Sequence, residues 1–129
     1  MGAFDALRIA NSSLGVHQTW LDTLATNIAN VNTVNATDED AFQAQMLILR
    51  SSEGGGVEVA GVAETSAEGR VVHSPGHPLA DEDGYVRTPD TDMNSQMSQL
   101  IMAQRGYQAS VSVTKTAQEA YTSALQIGK

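Results

Sequence analysis

The stretch Leu7-Arg8-Ile9-Ala10-Asn11-Ser12-Ser13-Leu14-Gly15-Val16-His17 opens a pattern that runs to residue 31. Leu7, Leu14, Leu21 and Ile28 recur every seven residues, and Ala10, His17, Leu24 and Val31 follow three residues after each. Such spacing marks an amphipathic helix with a coiled-coil seam, interrupted at one position by His17. No proline precedes Pro75, so nothing breaks the run, and a helix is expected from about residue 3 to 30. At 1.5 Å per residue it spans about 40 Å. Asn27, Asn30, Asn32 and Asn35 mark its end, because asparagine tolerates left-handed backbone and competes for helix hydrogen bonds.

The other end of the chain repeats the pattern. Met93, Leu100, Tyr107, Thr114 and Tyr121 form one heptad row, and Met97, Gln104, Val111, Gln118 and Leu125 form the expected second row. Pro89, Asp90 and Asp92 stand where a helix N-terminus favours proline and negative charge, so a helix is expected over about 92–126. Gly106 costs about 1 kcal/mol relative to alanine in a helix, so beside Tyr107 it reads as a site of close packing. Outside their stripes both helices carry Ser, Thr, Asn, Gln and Ala rather than Lys and Glu, as in Asn11, Ser12, Ser13, Gln18 and Thr19. Small uncharged groups let a second neighbour approach without desolvating ions. An ordinary amphipathic helix on a small core is the alternative reading of the first arm taken alone.

Charge divides the chain in the same way. Only Asp5, Asp22 and Arg8 are charged in residues 1–30, while twelve acids and three arginines crowd residues 31–92. The last segment holds Glu119 against Arg105, Lys115 and Lys129. Three regions are therefore expected: an N-terminal helical arm, 1–33; a small β-rich middle, 34–91; and a C-terminal helical arm, 92–129. In the middle, Phe42–Leu49, Val57–Val62, Gly69–His73 and Tyr85–Arg87 read as short strands, with a flexible break at Gly54–Gly56 and a turn at Asp83-Gly84. The fold class is α+β, mainly α: long terminal helices paired as an antiparallel coiled coil, with a small loop-rich β unit between them.

Composition narrows the function classes. The net charge of −8 argues against a general nucleic-acid binder, which needs a basic footprint. No apolar run approaches the roughly 20 residues of a membrane-spanning helix, so no direct membrane insertion is expected. The N-terminal residues lack the basic-then-apolar order of a cleaved signal peptide. Without cysteine there is no disulfide framework or thiol nucleophile. His73, His77 and Asp81 are spaced by four, but Pro75, Gly76 and Pro78 forbid the helix that would gather them as metal ligands. Asp81-Glu82-Asp83-Gly84 faintly matches a calcium loop, yet Tyr85 stands where an oxygen ligand is needed, and an acidic turn explains it better. Asn11-Ser12-Ser13 fits a glycosylation pattern but lies inside the expected helix. His17 is either a pH-responsive residue or a hydrogen-bonded part of the seam. Gly54–Gly56 lacks the Lys-Ser/Thr of a phosphate loop, and no nucleophile elbow occurs. No catalytic, cofactor or metal residues are expected, and no enzyme.

Three segments carry a family resemblance. Ser12-Ser13-Leu14 through Leu21 to Thr33 contains Ala25, Asn27, Ala29 and Asn30, similar to an Ala-x-Asn-x-Ala-Asn signature of bacterial flagellar axial proteins. Pro75 through Asp81, then Gly84 through Val86 and Pro89, resemble the segment that distinguishes the proximal rod protein C family of the basal body. Ala103 through Val111 resembles the C-terminal Ala-x-Arg-x-Tyr-x-Ala-Asn-Val, with Ser110 in place of the asparagine and Gln96 in place of a glutamate. The resemblance implies a structural subunit of the proximal rod, a hollow drive shaft that transmits torque and encloses the export channel. Alternatives are another axial subunit of rod or hook type, or a secreted coiled-coil module.

The resemblance further implies partners and placement: copies of itself, other rod proteins, and the flagellar type III export apparatus, with export lacking a cleaved signal and location in the basal body. The assembly interface implied on the first helix is Leu7, Ser12, Leu14, Leu21 and Leu24, continuing through Asn27, Ile28, Ala29 and Asn30. On the second it is Met97, Leu100, Arg105 and Tyr107, then Val111, Tyr121 and Leu125. Phe42 and Met46 fit a loose Phe-x-x-x-apolar export pattern that a core strand also explains.

Overall fold

The computed structural model describes residues 2–128. Within them the order is α1 (Ala3–Asn30), β1 (Gln45–Ser51), β2 (Val57–Glu64), β3 (Arg70–His73), β4 (Tyr85–Thr88) and α2 (Met93–Ile127). The α+β, mainly α architecture follows the sequence pattern: two long helices at the chain ends and two small two-stranded sheets, β1–β2 and β3–β4, between them.

The helix ends have local causes. Asp5 accepts a hydrogen bond from the Gly2 amide at 3.3 Å, reaching back over the first turn of α1. At its C-terminus the Asn30 side-chain amide folds back to donate to the Thr26 carbonyl at 2.9 Å. Asp92 caps α2, accepting from the Ser95 amide at 2.9 Å.

The chain divides into two compact units, Met1–Asp22 with Leu47–Gly61 and Leu100–Lys129, and Thr23–Met46 with Val62–Gln99. In the first unit α1 and α2 run antiparallel. Phe4 meets Tyr121 with ring centroids 6.1 Å apart, Ser13 meets Ser110 at 3.0 Å, and His17 packs against Gly106. The residues of α2 that turn inward are Ala103, Gly106, Tyr107, Ser110, Thr114, Ala117 and Tyr121. This corrects one of the two expected rows. Leu100, Tyr107, Thr114 and Tyr121 are half-buried as expected, but Met97, Val111 and Leu125 are 41%, 44% and 55% exposed. The true second row is one residue earlier: Gln96, Ala103, Ser110 and Ala117. These side chains are small or polar and carry no hydrophobic signal, whereas the apolar residues one step on drew the assignment outward.

In the second unit, β3 and β4 pair antiparallel, with Arg70 opposite Thr88 and His73 opposite Tyr85. Val86 is 2% exposed, and Asn35 bridges to Arg87 from outside the sheet. The Asp81–Tyr85 turn closes through Gly84, whose φ of 83° disfavours any side chain. The strand expected from Phe42 starts three residues later, because β1 begins at Gln45, and Phe42 lies outside it. Residues 41–44 instead hook onto Thr65: its hydroxyl takes the Ala44 amide at 2.9 Å, and its carbonyl takes the Gln43 side chain at 2.8 Å. Ala41 and Ala44 are buried beneath that hook.

Candidate assembly interface

The core is thin. Among the described residues, the largest side chains with almost no exposure are Leu24, Asn27 and Pro89. An asparagine in that company needs a polar account. Asn27 Nδ2 donates to the Gln45 carbonyl at 2.8 Å and to Gln96 Oε1 at 3.0 Å, while Oδ1 accepts from the Gln45 amide at 2.9 Å. The side-chain amide therefore pairs with both backbone groups of Gln45 as a neighbouring peptide would. Its two donors and its acceptor are all used, which is what permits burial. One residue thus ties α1 to the first residue of β1 and to α2.

The seam of the first unit is also polar. His17 Nδ1 lies 2.8 Å from the Ser13 carbonyl, an acceptor only, so that nitrogen carries the proton. Ser110 Oγ stands 3.2 Å from the same nitrogen and 3.0 Å from Ser13 Oγ. A Cβ added at Gly106 would lie 2.4 Å from His17 Nε2, so glycine is a steric condition of this contact. Ala10, Ser13, His17, Gly106, Ala109, Ser110 and Val113 line a depression of about 210 Å³ along the seam.

The interface residues expected from sequence divide into two sets. Leu24 and Asn27 are buried within the chain, and Leu7, Ser12, Leu14, Leu21, Ile28, Asn30, Leu100, Tyr107 and Tyr121 are half-buried. Ala29, Met97, Arg105, Val111 and Leu125 are exposed. Ala29 therefore makes no close helix approach inside its own chain. Further apolar side chains lie bare on α2, with Ile101 47% and Met102 61% exposed. Phe42 is half-buried and Met46 is 54% exposed. Sequence reasoning missed Gln96 and Ser110 as seam residues, while Gly106, expected as a site of close packing, is where His17 packs. The signal was there: Gln96 and Ser110 are two of the positions at which the chain departs from the family pattern.

The other candidate chemistry resolves into turns. Asp81 Oδ1 accepts from the amides of Tyr85 at 2.8 Å and Asp83 at 3.0 Å, and Oδ2 accepts from Thr37 Oγ1 at 3.0 Å. The hydrogen bond from Tyr85 is the main reason its carboxyl is held below the ordinary aspartate value, with Thr37, Asp83 and Gly84 adding to it. His73 packs on Tyr85 with ring centroids 4.9 Å apart, and His77 Nδ1 accepts from the Leu79 amide at 3.1 Å. Among the described residues no three His, Asp or Glu side chains gather where they could hold a metal ion. No helix among them is long and apolar enough to cross a membrane.

Uncharged helix faces and bare apolar side chains are what a chain that packs against other proteins presents. Residues 82–127 match the family described as flagellar basal body rod FlgEFG protein C-terminal. The whole chain is 34% identical over 134 residues to the flagellar basal-body rod protein FlgC of Yersinia enterocolitica, with all of both chains covered. It is 32% identical to that of Salmonella typhimurium over the full length of both, and 27% identical to that of Bacillus subtilis, again over both chains entire. The chain belongs to the flagellar basal-body rod protein family.

Proposed function

We propose that this chain is a structural, non-enzymatic subunit of the proximal part of the basal-body rod, polymerising with copies of itself and other rod proteins into a hollow shaft. The observation that carries this reading is the outer face of α2. Met97, Ile101, Met102, Val111 and Leu125 are 41% to 61% exposed on a helix that carries few charges. Exposed apolar surface on this scale marks a contact with another protein. In the shaft these side chains, with Ala29 and Arg105, pack against neighbouring subunits. Residues 1–33 and 92–129 serve as the assembly arms, and the acidic segment 34–91 faces outward. The uncharged helix rows nearest the axis line the export channel, where unfolded cargo finds little to bind. Export proceeds through the type III apparatus without a cleaved signal, with Phe42 and Met46 as the recognition pair.

Deleting the gene tests the reading. Loss of swimming, with basal bodies lacking a complete rod, is the expected result. Normal swimming with intact basal bodies would sink it. Imaging purified basal bodies and locating the chain within the rod tests its position directly.

A further inference from the structure

The turn between β1 and β2 does not project freely. Ser52 donates to the Gly56 carbonyl at 3.1 Å and Gly55 to the Ser52 carbonyl at 2.9 Å, closing the tip. Three contacts then bind that tip to one face of α1. The Arg8 guanidinium donates to the carbonyls of Gly54 and Gly55, and Asp5 steadies it at 3.7 Å. Ser12 Oγ donates to the Ile9 carbonyl at 2.7 Å and accepts from the Val57 amide at 3.1 Å. Gly56, at φ 93°, sits so close that a Cβ there would lie 2.3 Å from Ser12 Oγ. Beyond the tip the strands are bare, with Ile48 51%, Leu49 48% and Val59 38% exposed. A two-stranded hairpin is marginal in water on its own, so its order depends on where it is held.

Arg8 and Ser12 come close enough to reach one tip only when residues 8–12 are helical, because positions four apart rise about 6 Å along a helix and about 13 Å along an extended chain. We propose that Arg8 and Ser12 form a latch through which folding of the first turns of α1 orders and aims the β1–β2 hairpin. The hairpin then takes its fixed position only once α1 has formed. This is a conformational coupling within the chain and stands whatever the chain assembles with.

Amide hydrogen exchange on the full-length chain tests it, with variants Arg8→Gln, Ser12→Ala and Ile9→Pro. The latch predicts that Arg8→Gln and Ser12→Ala each speed exchange at Ser52 and Gly55 by about two- to tenfold, the range a lost hydrogen bond gives. Those two amides bond only within the turn, so their response reports release of the whole tip. The seam amides of residues 13–20 and 103–114 should keep their rates in both variants. Ile9→Pro, which breaks the helix at the latch, should release the tip at least as far. Unchanged rates at Ser52 and Gly55, or a change confined to Val57, would overturn the proposal, since the strands alone would then hold the tip. An equal rise along the helix seam in both polar variants would also overturn it, showing general destabilisation in place of a latch.

Discussion

His17 lies against the bare backbone of Gly106, and the space a methyl group would need at Gly106 is already filled by the imidazole, 2.4 Å away at Nε2. A bulky ring on α1 and a missing side chain on α2 thus form one complementary contact, fastened by the hydrogen bond from His17 to Ser13 and by the Ser110 hydroxyl beside it.

That contact fixes the sign of a substitution. In an exposed helix interior Gly→Ala stabilises by about 1 kcal/mol. Here Gly106→Ala should destabilise the chain by about 1–3 kcal/mol, because overpacking a filled site costs more than the helix gains. Adding His17→Ala should restore most of the loss, a coupling that thermal unfolding of the two single variants and the double variant measures. A stabilised single variant would show that the helices part easily at this point.

Asn27→Leu should cost about 1–3 kcal/mol, since the amide and carbonyl of Gln45 would both lose their part-buried partner. Gln96→Leu should cost less, because Asn27 keeps both bonds to Gln45. Denaturant midpoints of the two variants give the order, and the reverse order would show that the helix pair rather than the strand is what Asn27 secures.

Asp81 supplies a pH dependence. Its carboxyl is held below the ordinary value by the Tyr85 amide first. A depressed carboxylate contributes order that is present above the ordinary pKa and lost as pH falls through the lower folded value. The 81–85 turn should therefore stay closed at neutral pH and loosen only in acid, below about pH 4. Exchange or chemical shifts of the Tyr85 and Asp83 amides, followed on acidification, should show this. Asp81→Asn should weaken the same two amides and abolish that acid response.

Ala29→Asp should leave the chain folded and yet abolish swimming. The residue is exposed within its own chain, so a carboxylate there meets water unless, as proposed, a neighbouring subunit covers it. Once covered and unpaired, the charge costs several kcal/mol. Circular dichroism of the purified variant and a swimming assay separate the two effects, and a motile strain would place Ala29 outside the interface.

Both helices and all four strands were legible because periodicity is a local signal. Leu7, Leu14 and Leu21 announce α1, and Val57 through Val62 announces β2. The seam was legible only on one side. Tyr107 and Tyr121 mark the true inner row, but its companions Gln96, Ala103, Ser110 and Ala117 are chosen for shape and hydrogen bonding, and hydrophobicity cannot find them. Asn27 could be singled out as part of a motif, while its pairing with Gln45 depends on a strand 18 residues away that only the folded chain brings near. The latch was hidden for the same reason: Gly54–Gly56 reads as a flexible break until Arg8 and Ser12 are seen to grip it.

The thin core has a consequence for how the protein lives. Among the described residues only Leu24, Asn27 and Pro89 are large side chains with almost no exposure, so burial of large apolar groups contributes little to the chain's own stability. In the proposed role, much of its stability would come from neighbouring subunits, rising with their number and falling on dilution. In the proposed shaft, a subunit at a growing end, with fewer neighbours, would therefore be softer than one in the interior.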